Sequence, residues 1–130
     1  MNHYRYSVSD PADPRFQATG VIEGEELVVD LQTESELGER SAVLLELDHL
    51  RKIMVHFVPL YKSVRTSWSV GDNLLAFNRA IATGATPEEA AIRTSFGHQV
   101  ALAGYSRVEI RSLEGNPARY IKIVVSFLKP

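Results

Sequence analysis

The chain has no cysteine, which removes disulfide frameworks, thiolate metal sites and cysteine nucleophiles together. It has no apolar run near the roughly 20 residues that a membrane-spanning helix requires. The first residues, MNHYRYSVSDPADPRF, lack a basic region followed by an apolar one, so no signal peptide is expected. Walker-type phosphate loops, glycine-rich dinucleotide fingerprints, His-Glu-x-x-His and Gly-x-Ser-x-Gly are all missing. His3, His49, His56 and His98 are scattered, so neither a metal site nor a cofactor is expected.

What is present is an ordinary globular composition. The 130 residues are 45% hydrophobic and 23% charged, enough for one domain (1–130) with its own core. The net charge of −2 hides an asymmetry. Residues 1–50 hold three Lys/Arg against eleven Asp/Glu, whereas residues 51–130 hold eleven against five. That split suggests either one anion-seeking face or an unevenly solvated surface.

Turn residues punctuate the chain. Residues 1–14 read as an irregular lead-in with turns at Asp10-Pro11 and Asp13-Pro14. An acidic strand and helix part follows over 15–67. Phe16–Ile22 and Leu27–Leu31 form a hairpin around Glu23-Gly24-Glu25, and Gln32–Arg40 reads as a polar loop. Apolar residues at three- and four-residue steps predict a helix over about 42–52, then a short strand into Pro59 and another over Leu60–Trp68.

The best-punctuated stretch is 68–104. Asp72 is placed to cap a helix whose stripe is Leu74, Leu75, Phe77 and Ile81, ending near Gly84. Thr86-Pro87-Glu88-Glu89 has the pattern of a capping box with proline in the first turn. It predicts a second helix to about Ala103, stopped by Gly104, and so an αα-hairpin. Over 105–130 the period becomes two. Tyr105–Leu113 and Tyr120–Phe127 form a β-hairpin around Glu114-Gly115-Asn116-Pro117. The expected fold is α+β, an antiparallel sheet with the central αα-hairpin packed on it.

Candidate chemistry gathers near the second helix. Thr94, Ser95 and His98 share a flank beside the stripe of Ile92, Phe96, Val100 and Ala103. Gly97 in mid-helix marks a close approach. The final hairpin is expected to turn Arg107, Arg111, Tyr120 and Lys122 outward. If these meet His98, the set suits metal-free RNA cleavage. Histidine would take the ribose 2′-hydroxyl proton while cations stabilise the phosphorane. Trp68, with Asn73, Phe77 and Asn78, is either a core anchor or a platform for stacking and reading a base.

Trp68-Ser69-Val70-Gly71-Asp72-Asn73, Phe77-Asn78, Glu88-Glu89-Ala90-Ala91, Thr94, Gly97, Gly104-Tyr105 and the closing Gly115, Tyr120 and Phe127 carry a family likeness. Over about residues 68–127 the chain resembles the C-terminal toxin domains of bacterial polymorphic toxins, the variable tips of Rhs-type and contact-dependent inhibition proteins. The family pattern of Thr-aromatic-Thr-Gly stands here as Thr94-Ser95-Phe96-Gly97, with the aromatic displaced by one. The resemblance implies a barnase-like layout, action in the bacterial cytoplasm after delivery on a larger exported protein, and a cognate immunity protein as partner.

Three readings follow. The first is a metal-independent ribonuclease acting on tRNA or rRNA. In it His98, Arg107, Lys122, Thr94 and Tyr120 are catalytic, Trp68, Asn73, Asn78 and Arg111 bind substrate, and nothing selects DNA or a membrane. The second is NAD chemistry, ADP-ribosyl transfer or glycohydrolysis, suggested by Arg65, Thr66-Ser67 and Glu109. The third is a non-catalytic interaction or immunity module, for which the acidic first third would mimic nucleic acid.

Overall fold

The computed structural model describes residues 5–10, 13–33 and 40–130, with side chains described outside 10–16 and 32–45. In chain order the elements are β1 (Arg5–Asp10), β2 (Asp13–Glu23), β3 (Glu26–Thr33), α1 (Arg40–Phe57), β4 (Ser63–Trp68), α2 (Asp72–Ala82), α3 (Pro87–Ile92), α4 (Ser95–Leu102), β5 (Arg107–Asn116) and β6 (Arg119–Leu128). The strands make one six-stranded sheet in the order β1-β2-β3-β4-β6-β5. The α+β class expected from the sequence is what forms, but the sheet is mixed. β3 and β4 run parallel, and every other pair is antiparallel. A parallel pair needs a crossover, and α1 supplies it.

One face of the sheet holds the core. In register across the strands run Gly20, Val29, Thr66, Val125 and Ile110, and beside them Ile22, Leu27, Val64, Phe127 and Val108. All four helices bury their apolar residues against this face: Leu50, Ile53 and Phe57 from α1, Phe77 from α2, Ala90 and Ala91 from α3, Phe96 and Val100 from α4. Among the described residues the opposite face carries no helix. No described helix is long and apolar enough to cross a membrane.

Several expectations are corrected. The lead-in contains β1, an edge strand whose Val8 is buried and whose Tyr6 packs beside the core while Arg5, Ser7 and Ser9 point out. The expected loop over Gln32–Arg40 gives up its ends, with 32–33 in β3 and Arg40 opening α1, and residues 34–39, like 1–4 and 11–12, fall outside the described residues. The strand expected before Pro59 is helix instead, because Ile53, Met54 and Phe57 extend the stripe begun by Leu50 and keep α1 going for 18 residues. Gly20 lets α1 approach, since a Cβ there would meet the Ile53 side chain.

The αα-hairpin becomes three helices. Asp72 is the first residue of α2 rather than its cap, and Gly71, at φ 90°, precedes it without a side-chain bond. The Thr86 capping box forms as read, with Glu89 N to Thr86 Oγ1 at 3.2 Å and Thr86 N to Glu89 Oε1 at 3.0 Å. The second helix then breaks at Thr94. Its hydroxyl accepts from Gly97 N at 2.9 Å and donates to Ala91 O at 2.7 Å, so it caps α4 and closes α3 together. A threonine that bonds locally to backbone competes with helix continuation.

In the last hairpin a bulge at Ile121 moves Tyr120 to the helix side, where its ring meets Phe77 at 5.8 Å, and leaves Ile121 57% exposed. A second bulge falls at Arg111. The extra residue in each case shifts the alternation expected from the sequence.

Among the described glycines, Gly97 sits in the closest packing. A Cβ on it would strike the Ala91 carbonyl, which is backbone and cannot move aside. Gly97→Ala is expected to cost about 1–3 kcal/mol, seen as a lower urea midpoint at unchanged slope. An unchanged midpoint would contradict the close packing of α3 on α4.

Candidate functional site

The parallel pair is short. β3 and β4 bond over Glu26–Val29 and Ser63–Thr66, then separate. Beyond that point β3 continues on β2 to Thr33, and β4 continues on β6 to Trp68. At the split the buried Thr66 hydroxyl donates to Val29 O at 2.8 Å, satisfying a carbonyl that would otherwise lose its partner as the strands part. Between the carboxyl ends opens a cleft of about 330 Å³, lined by Asp30, Leu31, Glu46, Thr66, Trp68 and Asp72 among others. The carboxyl ends of parallel strands, where neighbouring connections diverge, are where open sheets place their ligands. The volume falls in the range of small-molecule sites.

Each wall has a local cause. Asn73, buried at the start of α2, accepts from Phe96 N at 3.1 Å and so ties α2 to the first turn of α4. Trp68 ends β4 against Phe77, Phe96 and Phe127, with ring centroids 6.0–6.5 Å away. Glu46 projects from α1 and is half-buried in the cleft lining. Burial chiefly, and the negative Asp72 next, push its carboxyl up to about 7. A carboxyl that changes charge near neutrality inside a cleft is equipped to give and take protons. The indole N–H of Trp68 is fully buried and has no hydrogen-bond partner among the described residues.

The residues proposed from sequence distribute differently. His98 is exposed on α4, on the helix side of the sheet. Arg107 and Lys122 are exposed on the opposite face, as their neighbours Val108 and Ile123 face the helices. The sheet thus separates the histidine from the basic row. Arg111 also belongs to the helix-free face. Its Nε donates to Ser126 Oγ at 3.1 Å, and its guanidinium stands 3.4 Å from Glu109 and 3.8 Å from Glu26. Thr94 is fully buried as a cap, and the Asn78 amide holds the backbone of Tyr120 at both N and O, each 2.9 Å. Only Trp68 and Asn73 border the cleft.

Of the NAD set, Thr66 and Ser67 border the cleft, while Arg65 pairs with Glu23 at 2.8 Å and Glu26 at 3.2 Å on the far face. Glu26, its side chain 13% exposed, also receives Ser63 Oγ and Ser126 Oγ at 2.9 Å each. This network knits β3, β4, β6 and β5 together on the uncovered face. Among the described residues no group of three or more His, Asp or Glu is placed to hold a metal ion.

Glu46 carries little signal in the sequence. Its one signal is an acidic residue inside Val43-Leu44-Leu45-Glu46-Leu47, a position close to the apolar stripe. No family model, curated protein or solved structure matches the chain.

The carboxyl of Glu46 links stability to pH. Folding raises its value from 4.5 to about 7, so the protonated form is the one folding favours. That contribution is complete below pH 4.5 and is lost as pH rises through 7. Glu46→Gln should remove the dependence and leave the variant more stable than the parent at pH 8 by about 1–2 kcal/mol, solvent screening having reduced the full electrostatic value. Parallel denaturation curves for parent and variant from pH 5 to 8 would contradict this assignment.

Proposed function

We propose that this chain is a cytotoxic enzyme domain of the polymorphic-toxin kind, and that its chemistry is proton transfer on a small organic ligand held in the β3–β4 cleft. The single observation that carries the reaction class is Glu46, half-buried in that cleft with a carboxyl that ionises near neutral pH. Acid–base catalysis is most efficient when the group's ionisation matches the working pH. Glu46 is the proposed proton acceptor. Asn73 and Thr66 are positioning residues that hold the cleft's walls at the split. The toxic role rests on the likeness of residues 68–127 to toxin tips, which also supports a cognate immunity protein as partner and action in the bacterial cytoplasm.

RNA cleavage by a domain of barnase-like layout is the second reading. It draws on Arg65, Arg107, Arg111 and Lys122, which share the helix-free face. Two of the four, Arg65 and Arg111, are within reach of carboxylates or hydroxyls there, and the near-neutral total charge limits non-specific affinity for a phosphate backbone.

Inducible expression in a bacterium tests both readings. Growth arrest is expected with intact tRNA and rRNA, and Glu46→Gln should relieve it by at least tenfold in plating efficiency while circular dichroism stays unchanged. Discrete RNA fragments, abolished by Arg111→Ala and not by Glu46→Gln, would instead establish the nuclease. Healthy growth with the parent chain would overturn the enzyme reading in favour of an interaction module.

A further inference from the structure

The last strand of the sheet has an open side. β5 is bonded by β6 alone, so its outer backbone N–H and C=O groups have no strand partner among the described residues. Over Arg107–Ile110 the pairing with β6 is regular, and the first bulge comes only at Arg111. This flat stretch has no proline and no charge pointing to the core side, two devices that blunt an exposed edge. Val108 and Ile110 are half-buried and face the helices, whereas Arg107 and Glu109 are exposed on the other face. A groove of about 360 Å³ runs beside the start of the strand, lined by Ile92 of α3 with Ser106 and Val108. No β6 residue borders it, so it lies on the outer side of β5, where an added strand would lie.

The charges along this edge define what fits it. A strand laid against it needs an acid opposite Arg107, an apolar residue opposite Val108 and a base opposite Glu109. Read in reverse, β5 supplies that order itself, as Glu109, Val108 and Arg107. With a two-fold axis at Val108, Arg107 of each copy faces Glu109 of the other and the two Val108 side chains meet at the groove. Other registers fail. Centring on Glu109 sets that carboxylate against its own copy and Arg107 against Arg111. Centring on Ile110 needs the bulged Arg111, which is already held by Ser126 and Glu109. A slip of one residue brings Arg107 against Ile110 and sets charges on an apolar row. Arg107 forms no ion pair among the described residues, and Glu109 stays exposed beside Arg111, so both can engage a second copy.

We infer that β5 is a dimerisation edge. Two copies of this chain pair antiparallel about Val108 and join their six-stranded sheets into one. The inference is independent of the β3–β4 cleft, which lies on the far side of β6.

Sedimentation of the intact chain from micromolar to millimolar concentration should show a reversible monomer–dimer equilibrium. Arg107→Glu and Glu109→Arg each put two like-charge pairs across the axis and should weaken the dimer about tenfold. The combined variant R107E/E109R restores opposite charges and should bind within about threefold of the parent. Because the chain has no cysteine, one introduced thiol reports the axis. Val108→Cys should cross-link to its own copy under mild oxidation, since directly opposed residues stand about 4.5–5.5 Å apart at Cα, within disulfide reach. Leu102→Cys, equally exposed to oxidant but away from the edge, should not. Circular dichroism of each variant should match the parent. A chain that stays monomeric throughout would overturn the inference. So would a dimer indifferent to Arg107→Glu, a combined variant as weak as the single ones, or a dimer that Val108→Cys does not cross-link. Assembly beyond the dimer would point to the β1 edge instead and equally overturn it.

Discussion

The structure depends on one short parallel contact. β3 and β4 pair over four residues on each strand and then part. Because the pair is parallel, the chain must return across the sheet, and α1 makes that return over the first three strands. Because the pair stops early, the sheet opens between two halves that each remain bonded, β1-β2-β3 on one side and β4-β6-β5 on the other. Thr66, fully committed to Val29 O, closes the ladder at the fork. The cleft is therefore a consequence of topology, and its walls are held by the same strands that carry the core.

Energetically the two faces of the sheet solve different problems. The helix face buries Phe77, Phe96, Phe127, Leu27 and Ile53 completely and supplies most of the apolar burial. The uncovered face has to satisfy its charges in place. Glu26 does this by serving Ser63, Ser126 and Arg65 directly, with Arg111 reaching Ser126. A carboxylate so surrounded is a strand-to-strand fastener that holds the β3–β4 register from the other side. Its donors are consumed by that task. Glu46 differs in kind, as burial and a like charge oppose its ionisation and no cation relieves it among the described residues of the cleft.

Much of this was legible in the residues. The β2–β3 hairpin, β4, the Thr86 capping box, the stop at Gly104 and the terminal β-hairpin follow from turn chemistry and alternation, which are local. The errors have local and non-local causes. Spacing alone makes Thr94 a helical flank residue, although a threonine three before Gly97 is also an N-cap, and tertiary anchoring of Phe96 by Asn73 decides between them. A period-two count turns Tyr120 outward because the bulge at Ile121 is invisible to it. The continuation of α1 to Phe57 was open to either period until β2 supplied a surface for Ile53 and Phe57.

The candidate site was less legible than the fold. Trp68 and Asn73 border the cleft and carry a ligand-contact signal in the sequence, whereas Glu46 carries almost none because its surroundings come from three separate elements. Sequence spacing cannot show that α1 and the start of α2 converge when the strands before them happen to be parallel neighbours. That convergence is what creates the proton-transfer group of the cleft. The direct test is a carbon-13 NMR titration of the Glu46 carboxyl in the intact chain. A midpoint near 7 that falls when Asp72 is changed to Asn is the expected result. A midpoint near 4.5, indifferent to Asp72, would show that Glu46 is an ordinary surface carboxylate and that the cleft holds no proton-transfer group.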